Sequence, residues 1–215
     1  MAVNIVDLGL VPYEGSIKIQ EDLLEKRIAD RIEDTVVFLE HPRIITMGRS
    51  ASRADIKNED FFVSRGIEII STRRGGGITY HAPGQLVVYP ILRLEDPIRD
   101  ISCFIDTLEK ITAESLREFG IDAQRCAGRR GVWAGGRKIA FTGIKIKKWV
   151  TFHGVAININ NDILPFEMID PCGEADIRVT SAKVIIGAEL DMKKVKDVFA
   201  LRFSDILKRC REDAA

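Results

Sequence analysis

The sequence predicts an α/β (α+β) fold, a mixed and mostly antiparallel sheet with helices packed against it. Helical and strand-like apolar periodicities are interleaved along the chain, which calls for both element types around one core. Two apolar runs joined only by Gly135-Gly136 have the spacing of a tight β-hairpin, which favours antiparallel pairing. No Pro/Ser-rich linker and no internal repeat divides the 215 residues, so one catalytic-size domain over 1–215 is expected.

Asn4 to Leu8 reads as a first strand, and Pro12-Tyr13 opens a helix with Ile17, Leu24 and Ile28 on one face. Thr35 to Leu39 is β-branched and aromatic, the composition of a buried strand, and Ile44 to Met47 is expected to pair beside it. Asn58 caps a short helix that Gly66 ends, and Ile67 to Ile70 forms the next strand. Gln85 to Leu92 is another strand, with Pro90 near its end or on an edge. Asp100 to Phe119 is the clearest helix: Ile101, Phe104, Ile105, Leu108, Ile111 and Leu116 line one stripe, and Gly120 stops it. Val132 to Ala134 and Arg137 to Ala140 flank the hairpin glycines, and Thr151 to Ile159 is a further strand. Leu164 to Thr180 is mostly loop, and Asp191 to Cys210 is a closing helix carrying Val195, Val198, Phe199 and Ile206.

Composition narrows the function classes. The chain carries 32 basic and 32 acidic residues, a balance that argues against a bulk electrostatic grip on nucleic acid. With no C-x-x-C pair among Cys103, Cys126, Cys172 and Cys210, and only His41, His81 and His153, no metal site and no disulfide framework is expected. The N-terminus lacks a basic segment followed by a long apolar one, and the uncharged stretch from Gly75 to Leu92 is broken by glycines and prolines. A soluble cytoplasmic protein with reduced thiols, no membrane partner and no nucleic-acid partner is the expectation.

Four constellations could carry chemistry. The run Arg73-Arg74-Gly75-Gly76-Gly77-Ile78-Thr79-Tyr80-His81 places three glycines between two strands, leaving backbone N–H groups unshielded to lie against a thioester, a phosphate or an acyl chain. It is neither a P-loop, for want of a following Gly-Lys-Ser/Thr, nor a dinucleotide fingerprint, since a strand follows. Lys138 sits between glycines and an apolar strand, where its ammonium can stabilise a thiolate or carboxylate; taken alone, a hairpin lysine is more often solvated. Cys172, between Pro171 and Gly173, falls on a turn and is accessible as a nucleophile must be. Finally, Arg125, Arg129, Arg130, Arg137, Lys138, Lys145, Lys147 and Lys148 occur with no acid from Ala123 to Asn161. They form either a docking face for an acidic macromolecule or a basic hairpin whose acids come from neighbouring elements.

Together these pieces resemble the lipoyl/octanoyl transferase family of protein lipoylation. The matching segments are Arg74 to His81, Pro83-Gly-Gln, Gly131-Val-Trp, Arg137-Lys-Ile-Ala, Gly143-Ile-Lys-Ile, Phe152 to Asn160, Pro165-Phe and Pro171-Cys-Gly, in family order over most of the chain. The resemblance implies a biotin/lipoate protein ligase-like fold and transfer of an octanoyl (or lipoyl) group from acyl carrier protein to a lysine of lipoyl domains. The implied acceptors are the lipoyl domains of 2-oxoacid dehydrogenase complexes and the glycine cleavage H protein. Carried over by residue, Cys172 is the acyl-accepting nucleophile and Lys138 the group that favours its thiolate. Arg74, Gly75, Gly76, Gly77, Ile78, Thr79, Tyr80 and His81 are implied to line the acyl site with Phe141, Thr142 and Gly143. His153, Gly154, Val155 and Ala156 complete the implied set. Ala82 stands where the family commonly has glycine, and Gly77 where a polar residue is frequent.

No cofactor is implied, because thioester exchange is nearly isoenergetic and thioester-to-amide transfer is downhill. The alternative is an ATP-dependent lipoate or biotin protein ligase, which shares the fold and a similar glycine loop but needs no cysteine. A second alternative is a non-catalytic binding domain for an acidic partner.

Overall fold

Strands whose two faces are both covered lose the apolar–polar alternation and read as continuous hydrophobic runs, and the three central strands of this protein show it. In the computed structural model, which describes residues 3–94, 100–171 and 177–212, a seven-stranded sheet has the order β1-β2-β6-β10-β9-β8-β7. The strands are β1 (Asn4–Leu10), β2 (Thr35–Glu40), β6 (Gln85–Ile91), β7 (Ala123–Cys126), β8 (Arg129–Ala134), β9 (Arg137–Lys147) and β10 (Val150–Asn158). All neighbours pair antiparallel except β1 with β2.

Alternate residues of each central strand face different layers. Val36, Phe38, Leu86, Val88, Val155 and Ile157 meet Phe104 and Leu108 of α3 (Ile101–Arg117) and Phe199 and Phe203 of α5 (Met192–Glu212). On the opposite face Val37, Leu39, Val87 and Ala156 cluster with Leu23 of α1 (Tyr13–Ile28). Asp100 caps α3 by accepting the Cys103 N–H at 2.7 Å. Ile101, expected in the α3 stripe, is 47% exposed at the first turn, whereas Phe104, Leu108, Ile111 and Leu116 are buried.

A second, three-stranded sheet has the order β4-β3-β5, from β3 (Ile44–Met47), β4 (Glu68–Ser71) and β5 (Ile78–His81). The expectation that Ile44–Met47 pairs beside Thr35–Leu39 is therefore wrong. Both edges of β2 are already taken, by β1 and β6, so β3 becomes the centre of the smaller sheet. Its core joins Ile45, Phe62 of the short helix α2 (Glu59–Val63), Ile78 and Tyr80 to Phe141 of β9 and to Phe166. Phe166 lies in a 3-10 turn, Leu164–Met168, inside the expected loop. The five-residue helix α4 (Ala182–Ile186) and the strand β7 were not foreseen.

Pro90 lies near the end of its strand, as expected, but that strand is central. A proline there removes a ladder donor, and Thr151 makes good the gap. Its hydroxyl donates to Pro90 O at 2.6 Å and accepts the Leu92 N–H at 3.0 Å.

Candidate active site

Where the small sheet meets the large one, the glycine loop after Arg74 lies flat on β9. The Gly75 N–H donates to Ile144 O at 3.3 Å, and a Cβ on Gly143 would come within 2.7 Å of Gly75 O. Only glycine permits so close an approach of two backbones. Arg74, almost wholly buried, fixes the loop to β3: Nη2 donates to Thr46 O at 2.5 Å and to Thr46 Oγ1 at 2.9 Å, and Nη1 to Gly75 O at 3.1 Å.

This contact leaves a cavity lined by Arg74, Gly76, Gly77, Ile78, Thr79 and His81 from the loop and β5. Phe141, Thr142 and Gly143 of β9 and His153, Gly154, Val155 and Ala156 of β10 line it as well. Thirteen of the fifteen residues expected to contact substrate thus meet around one space. Gly75 faces Ile144 instead, and Tyr80 packs edge-on against Phe166 at 5.7 Å. Tyr13, Val87 and Tyr89 also line the cavity and were missed. Tyr13 had a local signal as the first residue of α1; Val87 and Tyr89 looked like ordinary core.

Arg74 brings a positive charge to the cavity lining, and the histidines around it are neutral near pH 7. Burial, opposed only by the bond to Val11 O, lowers His41 to about 4. Burial, with Arg74 and Lys145 adding to it, lowers His153 to about 3. His81 is also held well below its ordinary value, first by burial and then by His41. Burial raises the phenols of Tyr13 and Tyr89. Hydrogen bonds fix the tautomers: His41 Nδ1–H donates to Val11 O at 2.7 Å and Nε2 accepts from Tyr89 Oη at 2.9 Å. His81 Nδ1–H donates to Gln85 Oε1 at 2.7 Å.

Hydrogen bonds continue from there to the Lys138 backbone. Gln85 Nε2 donates to Asn158 Oδ1 at 2.9 Å, Asn158 Nδ2 donates to Thr180 O at 3.0 Å, and the Thr180 N–H donates to Lys138 O at 2.9 Å. The Lys138 N–H donates to Arg178 O at 2.8 Å, so the backbone around Val179 runs parallel beside it. Lys138 is 1% exposed, unlike the usual hairpin lysine. Its Nζ lies 5.1 Å from the Phe141 ring centroid and 5.5 Å from that of Trp133, within cation–π range of both. Lys138 therefore stands outside the cavity wall, against the back of Phe141. Cys172 lies outside the described residues. Cys103 and Cys126 are exposed free thiols.

The basic run has acids from other elements. Arg125 and Arg130 both pair with Asp106 of α3, Arg125 also reaches Glu109, and Lys147 pairs with Glu25 of α1. Among the described residues no helix is long and apolar enough to cross a membrane.

A flat glycine loop laid on a mixed sheet, beside a lined cavity and a buried lysine behind Phe141, is the architecture of the lipoate and biotin ligase fold. Solved structures agree on the fold. A lipoate-protein ligase A bound with ATP superposes with a TM-score of 0.76 at 19% identity, covering 97% of this chain and 86% of that one. A biotin protein ligase from Aquifex aeolicus, in complex with biotin and ATP, gives 0.61 at 19% identity, covering 98% and 73%. The lipoyl protein ligase A/B catalytic domain family matches residues 12–204, and the chain belongs to that family. An octanoyltransferase of Alkaliphilus metalliredigens is 38% identical over 208 residues, 96% of this chain and 95% of the relative. Likeness at that level over nearly the full length makes this chain an acyltransferase of protein lipoylation.

Proposed function

We propose that the chain, acting as one catalytic domain over 1–215, takes an octanoyl group from acyl carrier protein and passes it to a lysine of a lipoyl domain through a thioester on Cys172. The observation that carries this reading is Lys138: a fully buried side chain held between the Trp133 and Phe141 rings, behind the cavity wall that Phe141 forms. Six and eight residues after Cys172 in the sequence, Arg178 and Thr180 are tied to the Lys138 backbone.

In this reading the Cys172 thiolate, favoured by the Lys138 ammonium, attacks the donor carbonyl, and the bond from that carbon to the carrier's sulfur breaks. The leaving thiolate takes a proton from Lys138. An acceptor lysine, already neutral, then attacks the Cys172 thioester and gives its surplus proton to Lys138 as the carbon–sulfur bond breaks. An amide forms and the thiolate–ammonium pair is restored. The cavity residues from Arg74 to His81, Phe141 to Gly143 and His153 to Ala156 hold the acyl chain. The acceptors are the lipoyl domains of 2-oxoacid dehydrogenase complexes and the glycine cleavage H protein, and the enzyme works in the cytoplasm without a nucleotide.

Intact mass after incubation with octanoyl carrier protein, without ATP, tests this directly. The expected result is a gain of one octanoyl group, mapped to Cys172, absent in Cys172→Ala, and discharged by adding a lipoyl domain. An adduct on Cys103, Cys126 or Cys210, or transfer that requires ATP, would overturn it.

A further inference from the structure

Tyr13 and His153 form a wall with empty space on both sides. One side is the active-site cavity; the other is a second cavity of about 440 Å³ lined by Ile17, Ile70 and Phe152, with Lys18 and Glu21 at its mouth. Both residues line both spaces.

Strand register sets the depth of that wall. β9 and β10 pair Phe141 with Ala156, Gly143 with Gly154, and Ile144 with His153. Lys138 Nζ marks the reactive end, over the Phe141 ring. His153 lies three residues further along the ladder, roughly 10 Å at about 3.3 Å per residue. An extended octanoyl chain starting near Lys138 has about that length and would end against the imidazole.

His153 is held there at a cost. Its φ is +60°, a left-handed conformation that residues other than glycine uncommonly adopt, and its N–H is fastened to Gln20 Oε1 at 2.8 Å. Although the residue is only 2% exposed, neither ring nitrogen has a hydrogen-bond partner. A buried polar ring left unpaired on a strained backbone points to function rather than stability.

We propose that the Tyr13–His153 wall sets acyl-chain length, stopping an octanoyl chain at its terminal methyl and excluding longer chains, whose extra carbons would have to pass into the second cavity. This rests on the octanoyl-transfer reading. His153→Gly keeps the positive φ without strain and deletes the ring, and His153→Asn also suits that conformation while shortening the side chain.

Wild type and both variants are offered hexanoyl, octanoyl, decanoyl and dodecanoyl carrier protein, and transfer to a lipoyl domain is followed by mass, with circular dichroism to check folding. Wild type is expected to transfer octanoyl at least about tenfold faster than dodecanoyl, and His153→Gly to raise the dodecanoyl-to-octanoyl ratio by at least about tenfold, with His153→Asn between them. Equal wild-type rates for the two chains would overturn the proposal whatever the variants do. An unchanged ratio in either folded variant would overturn it too. Loss of transfer from every donor, in wild type, would instead sink the octanoyl-transfer reading on which it stands.

Discussion

Gly131 of β8 lies directly against the stem of Lys138 on β9: a Cβ built on Gly131 would come within 2.6 Å of Lys138 Cε and 2.4 Å of Ala140 O. Gly131 has φ +97°, and its N–H donates to Glu109 Oε1 at 2.6 Å. Glu109 is a carboxylate of α3 only 1% exposed. The helix thus holds the strand in a glycine-only conformation, and the space that glycine leaves is filled by the lysine. Gly131→Ala is expected to destabilise the fold by about 1–3 kcal/mol through strain alone. It should also slow single-turnover acylation at least about tenfold, by displacing a reacting group. Urea unfolding and rapid-quench mass spectrometry measure the two effects separately. Near wild-type acylation in the folded variant would show that Lys138 tolerates movement.

Lys138→Arg separates charge from proton transfer. Arginine keeps the positive charge but does not release a proton near neutral pH, and its planar fork does not fit a site shaped by Trp133, Phe141 and Gly131. The expected outcome is that neither Lys138→Ala nor Lys138→Arg turns over at more than a few per cent of the wild-type rate. Activity restored by arginine would assign Lys138 an electrostatic role only.

Acid should destabilise the protein through its buried histidines. His41 titrates at about 4 in the folded chain against an ordinary value of 6.5, so between those pH values the unfolded chain binds a proton that the folded one does not. Stability is therefore complete above pH 6.5 and falls as pH drops towards 4, by about 3 kcal/mol for His41 alone at 1.36 kcal/mol per unit. His153, lowered to about 3, extends the loss to lower pH. Urea midpoints measured from pH 7.5 to 4.5 should fall accordingly. The decline should be shallower in His41→Gln, and an equal slope in that variant would remove His41 as the cause.

Most strands and α3 were legible because their residues obey simple periodicities or form apolar runs; the four-residue β7, exposed at three of its positions, was not. The inner face of α1 was legible only in part, because it is largely polar: Ser16, Gln20 and Arg27 are buried there beside Tyr13 and Leu24, Gln20 holding the His153 N–H and Arg27 bonded to Asp34 at 2.6 Å. Of the apolar stripe Ile17, Leu24 and Ile28, only Leu24 is buried; Ile17 and Ile28 are half-buried. The pairing of β3 depended on which strand edges were already occupied, a long-range matter that no local signal carries. Within the site, the glycine loop announced itself, but the burial of Lys138 did not. What buries it is Trp133, Phe141 and the missing Cβ of Gly131, each ordinary in sequence and decisive only once β8 and β9 pair.

The run of basic residues is not one face. Lys147, at the far end of β9, is nine residues from Lys138, roughly 30 Å at about 3.3 Å per residue, and is paired with Glu25; Lys148 is in the turn just beyond it. Arg125 and Arg130 are engaged by Asp106. Arg137, by contrast, is exposed beside Lys138 and lies in no ion pair among the described residues; with Arg178 it rims a cavity floored by Phe166 and Ile169. An acidic donor or acceptor that delivers its acyl group or lysine to this end of β9 meets Arg137 first. Arg137→Glu should therefore raise KM for both octanoyl carrier protein and lipoyl domain several-fold at low salt, while Arg130→Glu and Lys148→Glu change it little. Rim charges act mainly on association, so the difference should shrink as salt brings the Debye length below about 10 Å. A small octanoyl thioester should acylate Arg137→Glu at the wild-type rate, since it carries no acidic surface to steer. An equal rise in KM for all three reversals would mean that the partners sense the general charge of the hairpin and not this end of β9.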